Sequence, residues 1–359
     1  MRVGFDLSPL RENASTPHGA EPRVPPGVPR VAAELVEALE RRGRLEVVRL
    51  LPDAGVNSRK WRARELPRAV KQHDLVGLHS FTSAFAFRAP GRRVQTIHEL
   101  PWLHGVTENA GWKHKLWARF GPLFADRVVT ATEVVANDLR RSGSFAKSKL
   151  VVCPWGVSET FADEPPPGVV DEALLGHYRL PEDPLVLCPG AVREKKNLAS
   201  VLTAVAEVKR RGGPRLHIVV SGSETQSLRR DLGLAAKLGL SANISTLETI
   251  EEEHLPGLYR LAAVVPVLSH SEGFGLVALE ALASGTPVVV PTGSAQAEVA
   301  GRFGIEVDTG DTASVADGLV RAVTERESLR FTLGERAREL SWERSAETIE
   351  QLWLDLAAR

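Results

Sequence analysis

Short apolar runs rich in valine, isoleucine and leucine alternate with longer amphipathic runs along nearly all of this 359-residue chain. RVGFD, LEVVRLL, DLVGLHS, RRVQTIH, DRVVTA and KLVVCP read as strands in the first half. Between several of them lie helical patterns such as VPRVAAELVEALERRG and TEVVANDLRRSG, each closed by a glycine. Strands alternating with helices of this length predict parallel sheets covered on both faces, an α/β architecture. The pattern breaks at FADEPPPGVVDEALLGHYRLPEDP, where prolines and acids interrupt every period, and restarts with PLVLCPG, LHIVVSG, ANISTL, AAVVPVL, TPVVVP and GIEVD. A chain of this length exceeds what one hydrophobic core usually serves. The expectation is therefore two doubly wound domains facing a cleft, over residues 1–162 and 183–340, joined by a linker at 163–182.

Lysine plus arginine equals aspartate plus glutamate at 45 each, so no global field draws in nucleic acid, and none is expected as a partner. The opening MRVGFDLSPL is cut by Asp6 and is too short and polar for a signal peptide, and LAAVVPVL falls well short of the roughly 20 residues of a spanning helix. A cytoplasmic protein is the expectation. Cys153 and Cys188 show no metal-ligand spacing and read as small buried hydrophobes. SPLRENASTPHGAEPRVPPG, residues 8–27, is longer than most connections and leaves the carboxyl end of the first strand, where open parallel sheets bind ligands. It reads equally as a functional loop or a bare surface loop.

SEGFGLVALEALASGTPVVV, residues 271–290, carries two glutamates astride a glycine turn and an apolar helix. The turn follows a strand and opens the helix, so the amides of Phe274, Gly275 and Leu276 are helix N-terminal donors that invite an anion, and the flanking glycines let a phosphate approach. Glu272 at the mouth would repel a phosphate unless it meets sugar hydroxyls. Glu280, two turns into the helix, must be paired or meet a ligand hydroxyl. Acids on both sides of a phosphate site suit a polyol–phosphate–polyol ligand, that is, a nucleotide-sugar. Three rival readings apply to the same residues. Gly273 to Ala278 also fits G-x-G-x-x-A, with Glu298 twenty residues beyond Ala278, as a nicotinamide-dependent oxidoreductase requires. Paired carboxylates also serve glycoside hydrolysis, although there they flank the bond from opposite faces of the sugar. Finally, Glu272 is simply solvated and Glu280 salt-bridged.

EGFGLVALEALASGTPVVV resembles the E-x7-E region of the retaining glycosyltransferases of family 4, which have the two-domain GT-B fold. The resemblance runs along nearly the whole chain, through GVPRVAAELVEAL, TIHEL, ADRVVTATE, VVCPWGVSETF, CPGAVREKKNL and LPGLYRLAAVVPVLSHSEGFG. LSWERSAETIEQLWLDL is similar to the family's terminal helix, so residues 341–359 are expected to cross back to the first domain. The resemblance implies transfer of a hexose, with retention, from a GDP-mannose or UDP-hexose type donor to a saccharide, lipid-linked or small-molecule acceptor. It is closest to mannosyl- and hexosyltransferases of polysaccharide assembly, and it implies no cofactor and no metal. Glu272 would hold donor-sugar hydroxyls, Glu280 the ribose, and the amides after Gly273 the distal phosphate. Lys196 would neutralise the diphosphate, and His98 would contact the sugar or stabilise developing charge.

The sequence departs from that pattern at three places. Ala191 stands where many members carry arginine, leaving Arg193 as a candidate substitute. Pro29 replaces the second glycine of the N-terminal loop and so removes a donor. Trp155 stands where asparagine is common. These departures keep open a non-catalytic nucleotide-sugar-binding protein on the same scaffold. The acceptor is expected on the first domain, which holds five of the seven tryptophans, namely Trp61, Trp102, Trp112, Trp117 and Trp155. SRKWRARELPRAVK (58–71) and WKHKLWARF (112–120) are basic with tryptophans, the marks of a weak peripheral contact with the inner face of a membrane or of a solvated helix face.

Overall fold

The computed structural model describes residues 1–12, 27–108, 110–142, 145–162, 164–165 and 169–358. The loop expected at 8–27 lies for the most part outside the described residues, as do residues 163 and 166–168 of the expected linker. The chain divides into two compact units, Met1–Gly156 with Leu340–Arg359, and Val157–Glu339.

In the first unit the strands are β1 (Arg2–Asp6), β2 (Glu46–Leu50), β3 (Gly77–Ser80), β4 (Arg92–Thr96), β5 (Arg127–Thr130) and β6 (Leu150–Val152). They form one six-stranded parallel sheet in the order β2-β1-β3-β4-β5-β6. The chain reverses its direction of growth between β1 and β3, which makes their carboxyl ends the topological switch point of this sheet. The helices are α1 (Pro9–Glu12), α2 (Val28–Arg42), α3 (Ser58–Lys60), α4 (Leu66–Gln72), α5 (Trp112–Phe124) and α6 (Glu133–Ser142). Pro29 falls in the first turn of α2, where a missing N–H costs nothing, and Gly43 ends that helix at φ 66°, a left-handed conformation that suits glycine.

In the second unit α7 (Ala173–His177) precedes β7 (Leu185–Cys188), α8 (Leu198–Arg210), β8 (His217–Ser221), α9 (Gln226–Lys237), β9 (Ile244–Leu247), α10 (Leu255–Leu261) and β10 (Val265–Pro266). Then come α11 (Leu276–Ala283), β11 (Val288–Pro291), α12 (Ala295–Ala300), β12 (Gly304–Val307) and α13 (Thr312–Glu339). Strands β7-β8-β9 and β10-β11-β12 form two parallel sheets, joined by a parallel bridge between Val186 and Val264. The combined order is β9-β8-β7-β10-β11-β12, so the switch point lies between β7 and β10. Leu174, Leu175, Tyr178 and Leu180, all from the expected linker, pack into the core of this unit with Tyr259 and Leu258.

The last helix, α14 (Trp342–Ala357), belongs to the first unit. It packs along α2, buries Ala346, Ile349 and Trp353 at helical spacing, and pairs Glu343 with Arg41 and the buried Glu350 with Arg42, each at 2.9 Å. At its start Ser345 Oγ donates to Pro154 O at 2.6 Å, and Trp342 stacks on Trp155 with ring centroids 6.5 Å apart. A Cβ on Gly156 would collide with the Trp342 backbone, so this close approach requires glycine.

Candidate active site

In the second unit two loops leave the switch point. After β7 the chain runs through Gly190, at φ 87°, and Ala191 into a 3-10 turn, Glu194–Lys196, closed by Asn197 in the left-handed conformation. After β10 it runs through Ser269 and Glu272 to Gly275, which caps α11 at φ 99°. The loops are tied directly to each other, because the His270 amide donates to Lys195 O at 2.9 Å. Together they line a recess of about 40 Å³ that includes Gly190, Lys196, Ser269 and Val277.

Across this junction Lys196 Nζ lies 2.8 Å from Glu272 Oε1, and Lys195 Nζ lies 3.7 Å from Oε2. Burial pushes the Glu272 carboxyl up, but the two lysines and the hydrogen bond from Lys196 outweigh this and hold it below the usual carboxylate range. Glu272 is therefore an anion at neutral pH. Among the described residues, the amides of Phe274, Gly275, Leu276 and Val277 donate to no backbone carbonyl, as the start of a helix requires. Phe274 turns its ring inward and is buried, and Gly273 is buried beside it.

Glu280 lies inside α11, 6% exposed, and accepts the Tyr259 hydroxyl at 2.8 Å. A buried carboxylate is thus held by a tyrosine that is itself wholly buried on α10. Arg193 is exposed, and its guanidinium has no ion-pair partner among the described residues. The Gly190 amide is already used, donating to Ser221 Oγ at 2.9 Å, and the Gly190–Ala191 backbone rests against Gly222 so closely that a Cβ there would clash. The sequence reading missed Lys195, which stands beside Lys196 but is buried on the same carboxylate. Its only sequence signal is the doubled lysine of EKKN. Glu298, the acid of the dinucleotide reading, lies in α12 beyond the end of β11. It does not sit at the strand terminus where a ribose-binding acid belongs.

His98 belongs to the first unit, two residues past β4. Its Nε2 donates to Phe81 O at 2.8 Å, just beyond the end of β3, and Trp155 lies below it at 6.1 Å between ring centroids. Burial pulls its pKa down to about 4. At neutral pH the ring is uncharged, with the proton on Nε2 and a lone pair on Nδ1. His79, on β3, is wholly buried and stacked between Phe5 and Phe81 at 5.4 and 5.0 Å, and burial takes it to about 3.

Of the five tryptophans in the domain expected to take the acceptor, Trp61 and Trp155 are core residues, 7% and 1% exposed. Trp61 Nε1 donates to the buried Asp6 at 2.8 Å, so segment 58–71 turns its tryptophan inward. Burial pushes both Cys153 and Cys188 thiols up to about 12, which leaves them unreactive, and Cys188 borders the recess. Among the described residues the single His/Glu group with ligand atoms close enough to share a metal is His177, Glu251 and His254. It shares no residue with the Lys196–Glu272 junction. Among the described residues no helix is long and apolar enough to cross a membrane.

Residues 26–161 match the family described as Glycosyltransferase Family 4, and residues 176–340 the one described as Glycosyl transferases group 1. A D-inositol 3-phosphate glycosyltransferase of Nocardia farcinica is 35% identical over 234 residues, which cover 62% of this chain and 51% of that protein. The chain spans about half the length of the curated relatives it matches. Sucrose-phosphate synthase from Thermosynechococcus elongatus superposes with a TM-score of 0.76 at 20% identity, over 100% of this chain and 99% of that one. Anabaena HepE, solved with UDP and glucose, superposes at 0.74 and 14% identity, over 99% and 100%. Identities this low speak to the fold alone.

Proposed function

This chain is a member of glycosyltransferase family 4, of GT-B fold, and from that premise we propose that it transfers a hexose, with retention, from a nucleotide-diphosphate sugar to an acceptor hydroxyl. The observation that carries the reading is the Lys196–Glu272 pair, 2.8 Å apart at a topological switch point beside the open amides of α11. A diphosphate arriving there competes for Lys196 and accepts from Phe274, Gly275 and Leu276. The exchange frees an ionised Glu272 to accept sugar hydroxyls. Gly273 lets the phosphate come close, Glu280 is assigned to the ribose, and Arg193 adds an exposed positive charge. Lys195 keeps Glu272 ionised once Lys196 has turned to the phosphate. The chemistry is positioning and stabilisation of the leaving diphosphate, with no protein nucleophile.

His98 enters as a neutral acceptor. With Nε2 committed to Phe81 O, its Nδ1 lone pair is assigned to a substrate hydroxyl, to which the ring brings no positive charge. The acceptor is assigned to the first unit as a saccharide, lipid-linked or small polyol hydroxyl, and the name of the relatives adds D-inositol 3-phosphate to the acceptors worth trying. One observation favours a second reading, binding of the donor without transfer. Ala191 brings no charge, and the Gly190 amide is occupied by Ser221, so one phosphate contact of the family pattern is gone.

The test is nucleoside diphosphate release from UDP- and GDP-hexoses, without added metal, across an acceptor panel. Release that vanishes in Lys196→Ala and Glu272→Ala supports transfer. Donor binding without release moves the chain to the second reading, and unchanged release in both variants refutes the site.

A further inference from the structure

The two basic, tryptophan-bearing segments look alike in sequence but are opposite in structure. Segment 58–71 keeps Trp61 in the core, packed with Leu66 and Val70, and contributes no large exposed apolar side chain. Helix α5 does the reverse. Trp112 is 70% exposed, and Leu116, Phe120, Leu123 and Phe124 are each more than 40% exposed. Their spacing of four, four, three and one places them on a single stripe, opposite the Ala118, Gly121 and Pro122 face that packs on the sheet. Leu103, on the neighbouring turn, is exposed as well.

The stripe is edged with positive charge. Lys113 lies over Trp112 at 5.7 Å, Arg119 over Phe120 at 5.6 Å and Lys115 over Trp102 at 6.0 Å, and residues 112–124 contain no acid. The helix is firmly set. Gly121 lies against Gln95, and Lys149 Nζ donates to Ala125 O at 2.7 Å and to Pro122 O and Leu123 O at 3.3 Å, tying down the carbonyls at the helix C-terminus.

We propose that the exposed face of α5 docks on an anionic lipid surface, lying in the headgroup plane with Trp112, Leu116, Phe120, Leu123 and Phe124 in the acyl boundary. Charge complementarity selects this occupant. Lys113, Lys115 and Arg119 flank the apolar stripe and reach outward to phosphate headgroups, while the tryptophan sits at the interfacial level that suits its ring. A second copy of the chain fits worse, because two-fold pairing would set these three cations against their own equivalents. The inference stands apart from the transferase reading and does not depend on it.

The test is co-sedimentation of the full chain with vesicles of phosphatidylglycerol and phosphatidylcholine, and with phosphatidylcholine alone. The chain is expected to bind the anionic vesicles, to be released by high salt, and to ignore the neutral ones. Leu116→Ser/Phe120→Ser and Lys113→Glu/Lys115→Glu, whose positions are exposed and leave the core intact, should each lower binding by about tenfold or more. Arg59→Glu/Arg64→Glu, on the other basic segment, should change it less than about twofold. No binding by the folded wild type overturns the proposal, as does an equal loss from the Arg59/Arg64 variant. So does a dimer in light scattering that Leu116→Ser/Phe120→Ser dissolves without any vesicle binding.

Discussion

The two units put different chemistry at the carboxyl ends of the same kind of parallel sheet. Beyond β7 and β10 the second unit sets Lys195, Lys196 and Glu272, an ionised cluster at the mouth of a helix. Beyond β3 and β4 the first unit sets Phe81 and the uncharged His98, backed by Trp155, with the uncharged His79 buried within β3. A switch point is a crevice that the topology provides, and the side chains delivered there decide what it can take. Fixed charges and open amides suit a diphosphate. A neutral imidazole packed on buried aromatic rings suits a hydroxyl whose own polarity supplies the hydrogen bond.

Variants can break this contrast in either direction. The largest effect is expected from Trp155→Ala, which removes a 1% exposed ring that supports both His98 and the start of α14. It should cost about 3–5 kcal/mol in denaturant unfolding of the first unit, with nucleoside diphosphate affinity unchanged. If that affinity falls with it, the two regions are not chemically separate. Next comes Lys196→Ala, expected to lower turnover about 10²–10³-fold in steady-state kinetics while first-unit stability stays at the wild-type value.

Acid should then act on the histidine side of the contrast. His79 and His98 are neutral when folded, at about 3 and about 4, and take up a proton near 6.5 when unfolded. The unfolded chain therefore binds more protons between those values, so the stability these groups contribute is complete above 6.5 and is lost as pH falls. At pH 5 the buried His79 should cost roughly 2 kcal/mol relative to neutral pH, and His79→Phe should remove that share of the pH slope in chemical denaturation. The same reasoning predicts a turnover profile with no inflection near 6.5 from His98. The smallest effect is expected from Arg193→Ala, whose exposed guanidinium should be worth less than about fivefold in diphosphate affinity by calorimetry.

Much of this was legible in the sequence, because strand and helix periods are strong signals in a doubly wound chain. Every strand expected in the second half forms, and the glycine turn before Leu276 opens a helix as expected. What stayed hidden depends on which way a side chain faces. Trp61 and Trp112 sit in similar basic runs, and only packing makes one a core residue bonded to Asp6 and the other an exposed ring. Lys195 and Lys196 are adjacent, and only the turn geometry brings both onto Glu272. Glu280 called for a partner, but nothing in its own segment pointed to Tyr259, which comes from the preceding helix. Helix α13 runs on to Glu339 because ERESLRFTLGERARE contains no proline and only one glycine, so no local signal ends it earlier.

The central claim, that the second unit's switch point grips a diphosphate, is tested most directly by a crystal structure of the chain with UDP or GDP. The distal phosphate is expected on the amides of Phe274 to Leu276, with Lys196 turned from Glu272 to a phosphate oxygen. A nucleotide bound elsewhere, or bound there with the 2.8 Å Lys196–Glu272 contact intact, would contradict it.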